Sequence, residues 1–180
     1  MSRDESTSAR VVVRDEGSED HADIHEVTRL AFIGQPYSDG DEPELIDRLR
    51  AEGALTLSLV AMDGDVLVGQ ITFSPAGLTP ENGPWYALGP VSVTPSRQGQ
   101  GIGSRLIESG LGRIKAMSAM GCILTGNPDY YSRFGFVMAP EHCPENEPPE
   151  YCMLKLLQSE KPKSRFSFHQ PFYSQDTDNG

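Results

Sequence analysis

Arg97-Gln98-Gly99-Gln100-Gly101-Ile102-Gly103-Ser104 follows a strand-like run, Tyr86 to Thr94, and opens the best amphipathic helix in the chain. A strand, a glycine-rich turn and a helix start, in that order, build an anion site. The first N–H groups of a helix lack intrahelical partners and sit at the positive end of its dipole, so a phosphate satisfies both. Gly99, Gly101 and Gly103 remove the Cβ atoms that would hold a phosphate off the backbone. Arg97 adds a charged donor suited to phosphate oxygens. The stretch is not a P-loop, because no Gly-Lys-Ser/Thr follows. It also misses the dinucleotide pattern G-x-G-x-x-G, since Ser104 stands at the third glycine. Further on, Gly121-Cys122-Ile123-Leu124 offers no ribose-binding acid. The pattern that fits is Q-x-x-G-x-G, met by Gln98, Gly101 and Gly103. A glycine-rich turn can also simply join a strand to a helix, so its surroundings decide.

Upstream lies Trp85-Tyr86-Ala87-Leu88-Gly89-Pro90-Val91-Ser92-Val93. Pro90 cannot donate to a ladder, so Gly89-Pro90 predicts a bulge that bends the strand and breaks its pairing on one side. The amides left unpaired can bond an extended, amide-bearing ligand as if it were another strand. Downstream, the helix predicted from Gly101 to Ala119 places Ile102, Leu106, Gly110 and Ile114 in one row, with Ile107 and Leu111 beside it. Gly110 and Gly112 weaken it by about 1 kcal/mol each relative to Ala, and one of them can serve close packing. Gly121 is the predicted C-terminal cap. Cys122 to Thr125 then reads as a parallel strand beside the first. After it comes Gly126-Asn127-Pro128-Asp129-Tyr130-Tyr131-Ser132-Arg133-Phe134-Gly135-Phe136, a strand end, a short helix and an exit onto another strand.

The remaining elements read from pattern and punctuation. Val11 to Val13 is a short strand. Glu19 to Phe32 has helical spacing, with Ile24, Val27, Leu30 and Ala31 on one face. Its His21 and His25 lack a third metal ligand and read as solvated. A loop covers Gly34 to Asp41. Glu42 to Ala51 is a second helix with Pro43 in its first turn and Leu45, Ile46 and Leu49 inward. Leu55 to Met62 and Val66 to Phe73 form a hairpin about Asp63-Gly64-Asp65. Ser74 to Pro84 is a loop. Residues 140–150 form an exposed, acidic, proline-rich loop, and Tyr151 to Leu157 is the last main strand. The boundaries expected are a disordered 1–9, a domain over 10–158, an extension packed on it over 159–173, and a flexible tail over 174–180.

At 180 residues the chain is long enough for one domain with a real core. Its formal net charge of −11 argues against non-specific nucleic-acid binding and against anionic membranes. That charge suits a cationic amine substrate, and it equally suits mere solubility. Three cysteines without a C-x-x-C pair make neither a disulfide framework nor a zinc site, and no metal is expected. The N-terminus lacks the apolar run of a signal peptide and no stretch approaches a membrane span, so the expected location is the cytoplasm.

Two motifs now stand in order, roughly 30 residues apart. The first, Gln98-x-x-Gly101-x-Gly103, resembles the pyrophosphate loop of the GNAT superfamily of N-acetyltransferases. The second, Tyr131-x-Arg133-x-Gly135-Phe136, resembles that family's Y-x-K/R-x-G-F. Gly126-Asn127-Pro128-x-Tyr130-Tyr131 and Leu88-Gly89-Pro90-Val91-Ser92-Val93 resemble its YhbS-like group. The resemblance implies an α/β (α+β) fold, with a mixed, twisted sheet of about seven strands, helices on both faces and splayed central parallel strands. It implies acetyl-CoA as acetyl donor, a primary amine of a small molecule or a protein as acceptor, and direct transfer without an acyl-enzyme. The expected cofactor contacts are Val91, Ser92 and Val93 for the pantetheine arm and Gln98, Gly99, Gln100, Gly101, Ile102, Gly103 and Ser104 for the pyrophosphate. Asn127, Tyr130 and Arg133 complete the set. Tyr131 holds the family's position for the acid that protonates the leaving thiolate, with Tyr130 as its neighbour. Glu42 is the candidate base, with Glu44 and Asp41 close by. A homodimer is among the assemblies the resemblance allows. A catalytically silent acyl-CoA-binding module with the same fold is the alternative.

Overall fold

Seven strands carry the fold: β1 (Val11–Asp15), β2 (Leu57–Asp63), β3 (Val66–Ala76), β4 (Trp85–Val93), β5 (Gly121–Thr125), β6 (Val137–Met138) and β7 (Cys152–Leu156). The helices are α1 (His21–Phe32), α2 (Glu42–Ala51), α3 (Ile102–Ala116) and the single turn α4 (Pro128–Tyr131). This computed structural model describes residues 10–35, 38, 40–76 and 84–158. The strands form one mixed sheet in the order β1-β2-β3-β4-β5-β7-β6, the sheet class expected. The predicted terminal segments, 1–9 and 159–180, and most of the loop after β3 lie outside the described residues. Contacts gather into two compact units. One holds the chain to Phe73 together with Gly89–Gly112, and the other holds Ser74–Leu88 and the chain from Arg113.

In the first unit, β1 and β2 are antiparallel, from Val11 opposite Asp63 to Asp15 opposite Leu59. β2 and β3 form the predicted hairpin, and Gly64 turns it at φ +60°. A bulge between Ala61 and Met62, which no turn residue announces, shifts the register near the hairpin end. Ile24, Val27 and Ile46 of the two helices pack with Val60 and Leu67 of the strands. The predicted face of α1 needs one correction: Thr28 is buried, whereas Leu30 is exposed. The start of α1 also moves from Glu19 to His21. Asp20 closes a 3-10 turn by accepting from Arg14 at 2.7 and 3.1 Å and from the Gly17 amide at 2.7 Å. The Arg14 guanidinium holds the Asp20 carboxyl below the usual carboxylate range. On α3 the predicted row is buried throughout, from Ile102 to Ile114. Gly110 is the close-packing glycine, since a Cβ there would run into the Phe73 ring, while the same position on Gly112 meets open space.

In the second unit, β4 pairs parallel with β5 over Trp85–Ala87 and Gly121–Ile123. β5 and β6 each pair antiparallel with β7. Trp85, Ala87, Ile123, Cys152 and Leu154 form the core here. Gly121 is not the cap of α3. It is the first residue of β5, where a Cβ would stand 2.5 Å from the Lys155 carbonyl oxygen and from the Trp85 ring. The helix, whose last residue is Ala116, is closed instead by Ser118 at φ +64°, where Ser118 N–H reaches the Lys115 oxygen at 3.0 Å and Ala119 N–H the Ile114 oxygen at 3.1 Å. That is the paired closure of a Schellman motif, made without glycine. β3 continues through Ser74 and Pro75 to Ala76, into the span expected as loop. Its ladder with β2 ends at Phe73, so Pro75 withholds no hydrogen bond from that neighbour. The 140–150 stretch contains buried Cys143, so it is not wholly an exposed loop. No helix of the described residues is long and apolar enough to cross a membrane.

Candidate active site

The first unit holds the glycine loop. β4 ends at Val93, Thr94 N–H donates to the Val68 oxygen at 2.9 Å, and a 3-10 turn covers Pro95–Arg97. Gly99 and Gly101 then take φ +76° and +82°, left-handed values that strain any side-chain-bearing residue. A Cβ on either would meet nothing within 4 Å, so the glycines serve the turn and leave open space over it. α3 begins at Ile102, whose side chain is buried, and Gly101 C=O accepts the first helical bond from Arg105 N–H at 3.1 Å. The first-turn amides, Gly103 and Ser104 among them, have no acceptor within the helix. No acidic residue lies in that turn to compete for them.

Two side chains of the loop are already engaged. Gln98 Nε2 donates to the Val93 oxygen at 3.0 Å. Arg97, expected as a phosphate donor, instead gives Nε to Gln100 Oε1 at 2.9 Å and Nη1 to Asp63 Oδ2 at 2.8 Å. It fastens the loop to the β2–β3 hairpin. Its Nη2 is buried without a hydrogen-bond partner.

β4 presents its backbone in alternating directions. Thr94 N–H bonds β3, and the Ser92 oxygen lies 3.1 Å from where a Gly69 Cβ would be. Val91 and Val93 therefore turn their backbone groups away from β3. Ser92 points its side chain into the interior, where Gln70 Nε2 donates to Ser92 Oγ and Ser92 Oγ donates to Thr28 Oγ1 at 3.1 Å.

The same unit carries a hollow of about 430 Å³ between α1 and the start of α2, lined by Arg29, Phe32, Ile33, Gln35, Ser38 and Glu42, among others. Ser38 Oγ sits 2.7 and 2.8 Å from the two Glu42 carboxylate oxygens and accepts from Gly40 N–H at 3.0 Å. Of the three acids the sequence leaves open, Glu42 alone lines this hollow. Asp41 instead lies 3.7 Å from Arg48 and Glu44 lies 3.9 Å from His25. His25 also meets Asp47 at 3.2 Å, and His21 meets Glu16 at 3.0 Å. The described residues contain no group of three metal ligands.

The second unit holds the other motif. Asn127 caps α4, its Oδ1 accepting from Asp129 N–H at 3.0 Å, and Pro128 takes the first helical position. Tyr130 packs against its neighbours in the turn. Its ring lies under the Arg133 guanidinium at 4.6 Å and edge-on to Phe134 at 5.5 Å, and Arg133 Nε donates to its carbonyl at 2.9 Å. Tyr131 packs against Phe136 at 6.0 Å and lies over Gly126, where a Cβ would stand 2.6 Å from Tyr131 Cε2. Gly135 leaves the turn at φ +90°, and the Lys155 ammonium occupies the place of its missing Cβ.

Burial disfavours the thiolate form of Cys122 and Cys152. Burial pushes both thiols far above their ordinary range, with the Cys143 hydrogen bond adding to the effect at Cys152.

The sequence profile of one acetyltransferase family, GNAT, matches residues 21–136. The chain belongs to that family. Every predicted site residue of this GNAT protein, from Glu42 to Arg133, falls inside the matched stretch. Escherichia coli K12 YhbS, named as an uncharacterized N-acetyltransferase, is 33% identical over 113 residues, 62% of this chain and 68% of YhbS. YjhQ of the same strain, named likewise, is 33% identical over 121 residues, 65% of this chain and 64% of YjhQ. A GNAT-family acetyltransferase of Brucella melitensis, solved in complex with acetyl-CoA, is 40% identical. It superposes at a TM-score of 0.78 over 90% of this chain and 97% of its own. Escherichia coli YhbS, solved with CoA, gives 0.81 at 27% identity over 91% and 92%.

Sequence reasoning missed four residues that the geometry brings against the predicted site residues or the backbone beside them: Thr28, Ser38, Gln70 and Thr72. Gln70 and Thr72 carried a faint signal. They stand two apart, hence on one face, in a strand otherwise apolar enough to be buried on both sides. Ser38 carried none, because a serine four residues before an acid is unremarkable in a loop.

Proposed function

We propose that this chain is an N-acetyltransferase that moves the acetyl group of acetyl-CoA directly onto a primary amine. The observation that carries the reading is the loop from Gln98 to Ser104. Two left-handed glycines, open space above them and acid-free helix amides make a cradle for a pyrophosphate. Family membership and two similar structures solved with acetyl-CoA or CoA support that cofactor. Backbone groups of Gln98, Gly99, Gln100, Gly101, Ile102, Gly103 and Ser104 hold the pyrophosphate. Val91, Ser92 and Val93 lie along the pantetheine arm, with Asn127, Tyr130 and Arg133 as further contacts.

The amine nitrogen attacks the thioester carbon, the C–S bond breaks, and the electron pair leaves on sulfur. Tyr131 gives its phenolic proton to that sulfur. Glu42, held by Ser38, takes the proton that the amine must lose. The Val91 N–H polarises the thioester oxygen, on which negative charge develops. Transfer is direct, in keeping with burial that pushes the Cys122 and Cys152 thiols upward. A carboxylate lining the hollow suits a cationic acceptor, as does the net charge of −11. Three free cysteines support a reducing compartment, the cytoplasm.

The test is thermal unfolding with acetyl-CoA, CoA and NAD at matched concentrations. A ligand at 100 times its Kd adds about 2.7 kcal/mol of stability. A rise with both CoA species and none with NAD is expected, followed by turnover in an amine screen that falls in Tyr131→Phe. No rise with either CoA species overturns the reading. Binding without turnover on any amine favours the silent acyl-CoA-binding module.

A further inference from the structure

The Pro90 carbonyl of β4 is gripped by two buried side chains of β3. Gln70 Nε2 donates to it at 3.2 Å and Thr72 Oγ1 at 3.1 Å, and neither residue is exposed. Gln70 spends its second amide proton on Ser92 Oγ. The Ser92 hydroxyl goes to Thr28 Oγ1, and the Thr28 hydroxyl goes to the Ile24 carbonyl at 2.7 Å. Each proton in this chain has one available direction, so the network has a single arrangement running from β3 to α1.

The grip has a geometric consequence. The Pro90–Val91 peptide is trans, and in a planar trans unit the C=O and N–H point opposite ways. Holding the Pro90 oxygen from one side therefore aims the Val91 N–H to the other. The arrangement is not one that packing alone would select. Gln70 Oε1 is buried with no hydrogen-bond partner, a penalty that an apolar side chain of the same size would avoid.

We propose that Gln70 and Thr72 are positioning residues for acetyl transfer, fixing the Pro90–Val91 peptide so that its N–H is a rigid donor to the thioester oxygen. The proposal rests on the acetyl-CoA reading above. A donor that needs no reorientation stabilises developing oxyanion charge more than a mobile one does.

The experiment is 13C NMR of [1-13C]acetyl-CoA bound to the full chain, with CoA affinity measured alongside. CoA lacks the thioester carbonyl, so it is blind to this donor. In the wild-type chain the bound carbonyl resonance is expected downfield of free acetyl-CoA. In Thr72→Val and in Gln70→Met that displacement should shrink while CoA affinity stays within roughly twofold, and Thr72→Ser should retain it. If Thr72→Val does not fold, Gln70→Met carries the same comparison. An unmoved resonance in the folded variants overturns the proposal. So does a parallel loss of CoA and acetyl-CoA binding, the signature of a merely structural role. A wild-type chain that binds neither cofactor form overturns the acetyl-CoA reading itself, and shows this before any substitution is made.

Discussion

Tyr131 owes its place to a residue with no side chain. Its ring edge occupies the volume that a Cβ on Gly126 would claim, 2.6 Å from Cε2. Gly126→Ala must therefore move the ring by several tenths of an ångström or more. Gly126 itself is anchored, its N–H donating to the Tyr151 carbonyl at 2.9 Å, so the ring is the softer partner. If Tyr131 is the acid, Gly126→Ala should lower kcat on the order of a hundredfold and leave KM for acetyl-CoA near the wild-type value. Steady-state kinetics on an acceptor from the amine screen checks this, and an unchanged kcat would remove Tyr131 from the mechanism. At this scale the sequence was legible where a motif fixes a residue type at a position. Tyr131 and Tyr130 are adjacent and chemically identical in the sequence, and packing separates them: Arg133 covers one and Gly126 receives the other. Residue type alone makes Arg97 a phosphate donor and cannot show its pairing with Asp63, 34 residues away in the chain.

Among the elements, the end of α3 shows what a pattern conceals. Gly121 looked like the cap because glycine tolerates left-handed φ, yet the structure places the left-handed turn on Ser118 at +64°. The hydrogen bonds of Ser118 and Ala119 close the helix there, and Gly121 is needed in β5 against Trp85. A serine in that conformation is strained relative to glycine. Ser118→Gly should therefore raise stability by about 0.5–1 kcal/mol. Urea unfolding with an unchanged m-value checks it, and a loss of stability would mean that the serine side chain makes a contact that matters more. Periodicity carried most of the other elements. The six apolar and glycine positions predicted inward on α3 are all buried, and α2 matches its predicted bounds. Leu30 failed because a short amphipathic helix leaves two candidate edges to its apolar face. Thr28 wins the inner one by bonding the Ile24 carbonyl at 2.7 Å, so its hydroxyl enters the interior already satisfied.

For the molecule as a whole, the sheet class and the family were readable from two glycine-bearing motifs in the right order, because both encode backbone geometry and not surface chemistry. The hollow beside Glu42 was not readable, since its walls come from α1, the following loop and α2, and no spacing rule joins them. The tie between Arg97 and Asp63 reaches beyond the loop that it fastens. It neutralises the Arg97 charge, so the loop's own attraction for an anion comes from short-range amide dipoles, whereas the chain around it carries −11. A polyanionic cofactor approaching from solution meets repulsion at long range and attraction only on contact. Added salt screens the first more than the second, because the Debye length falls from about 30 Å at 0.01 M to about 10 Å at 0.1 M. Stopped-flow association of CoA should consequently speed up as ionic strength rises, opposite to the usual behaviour of a site built on free lysines and arginines. A rate that falls with salt would mean that the field at the loop is positive after all, and that Arg97 lets go of Asp63 when the cofactor arrives.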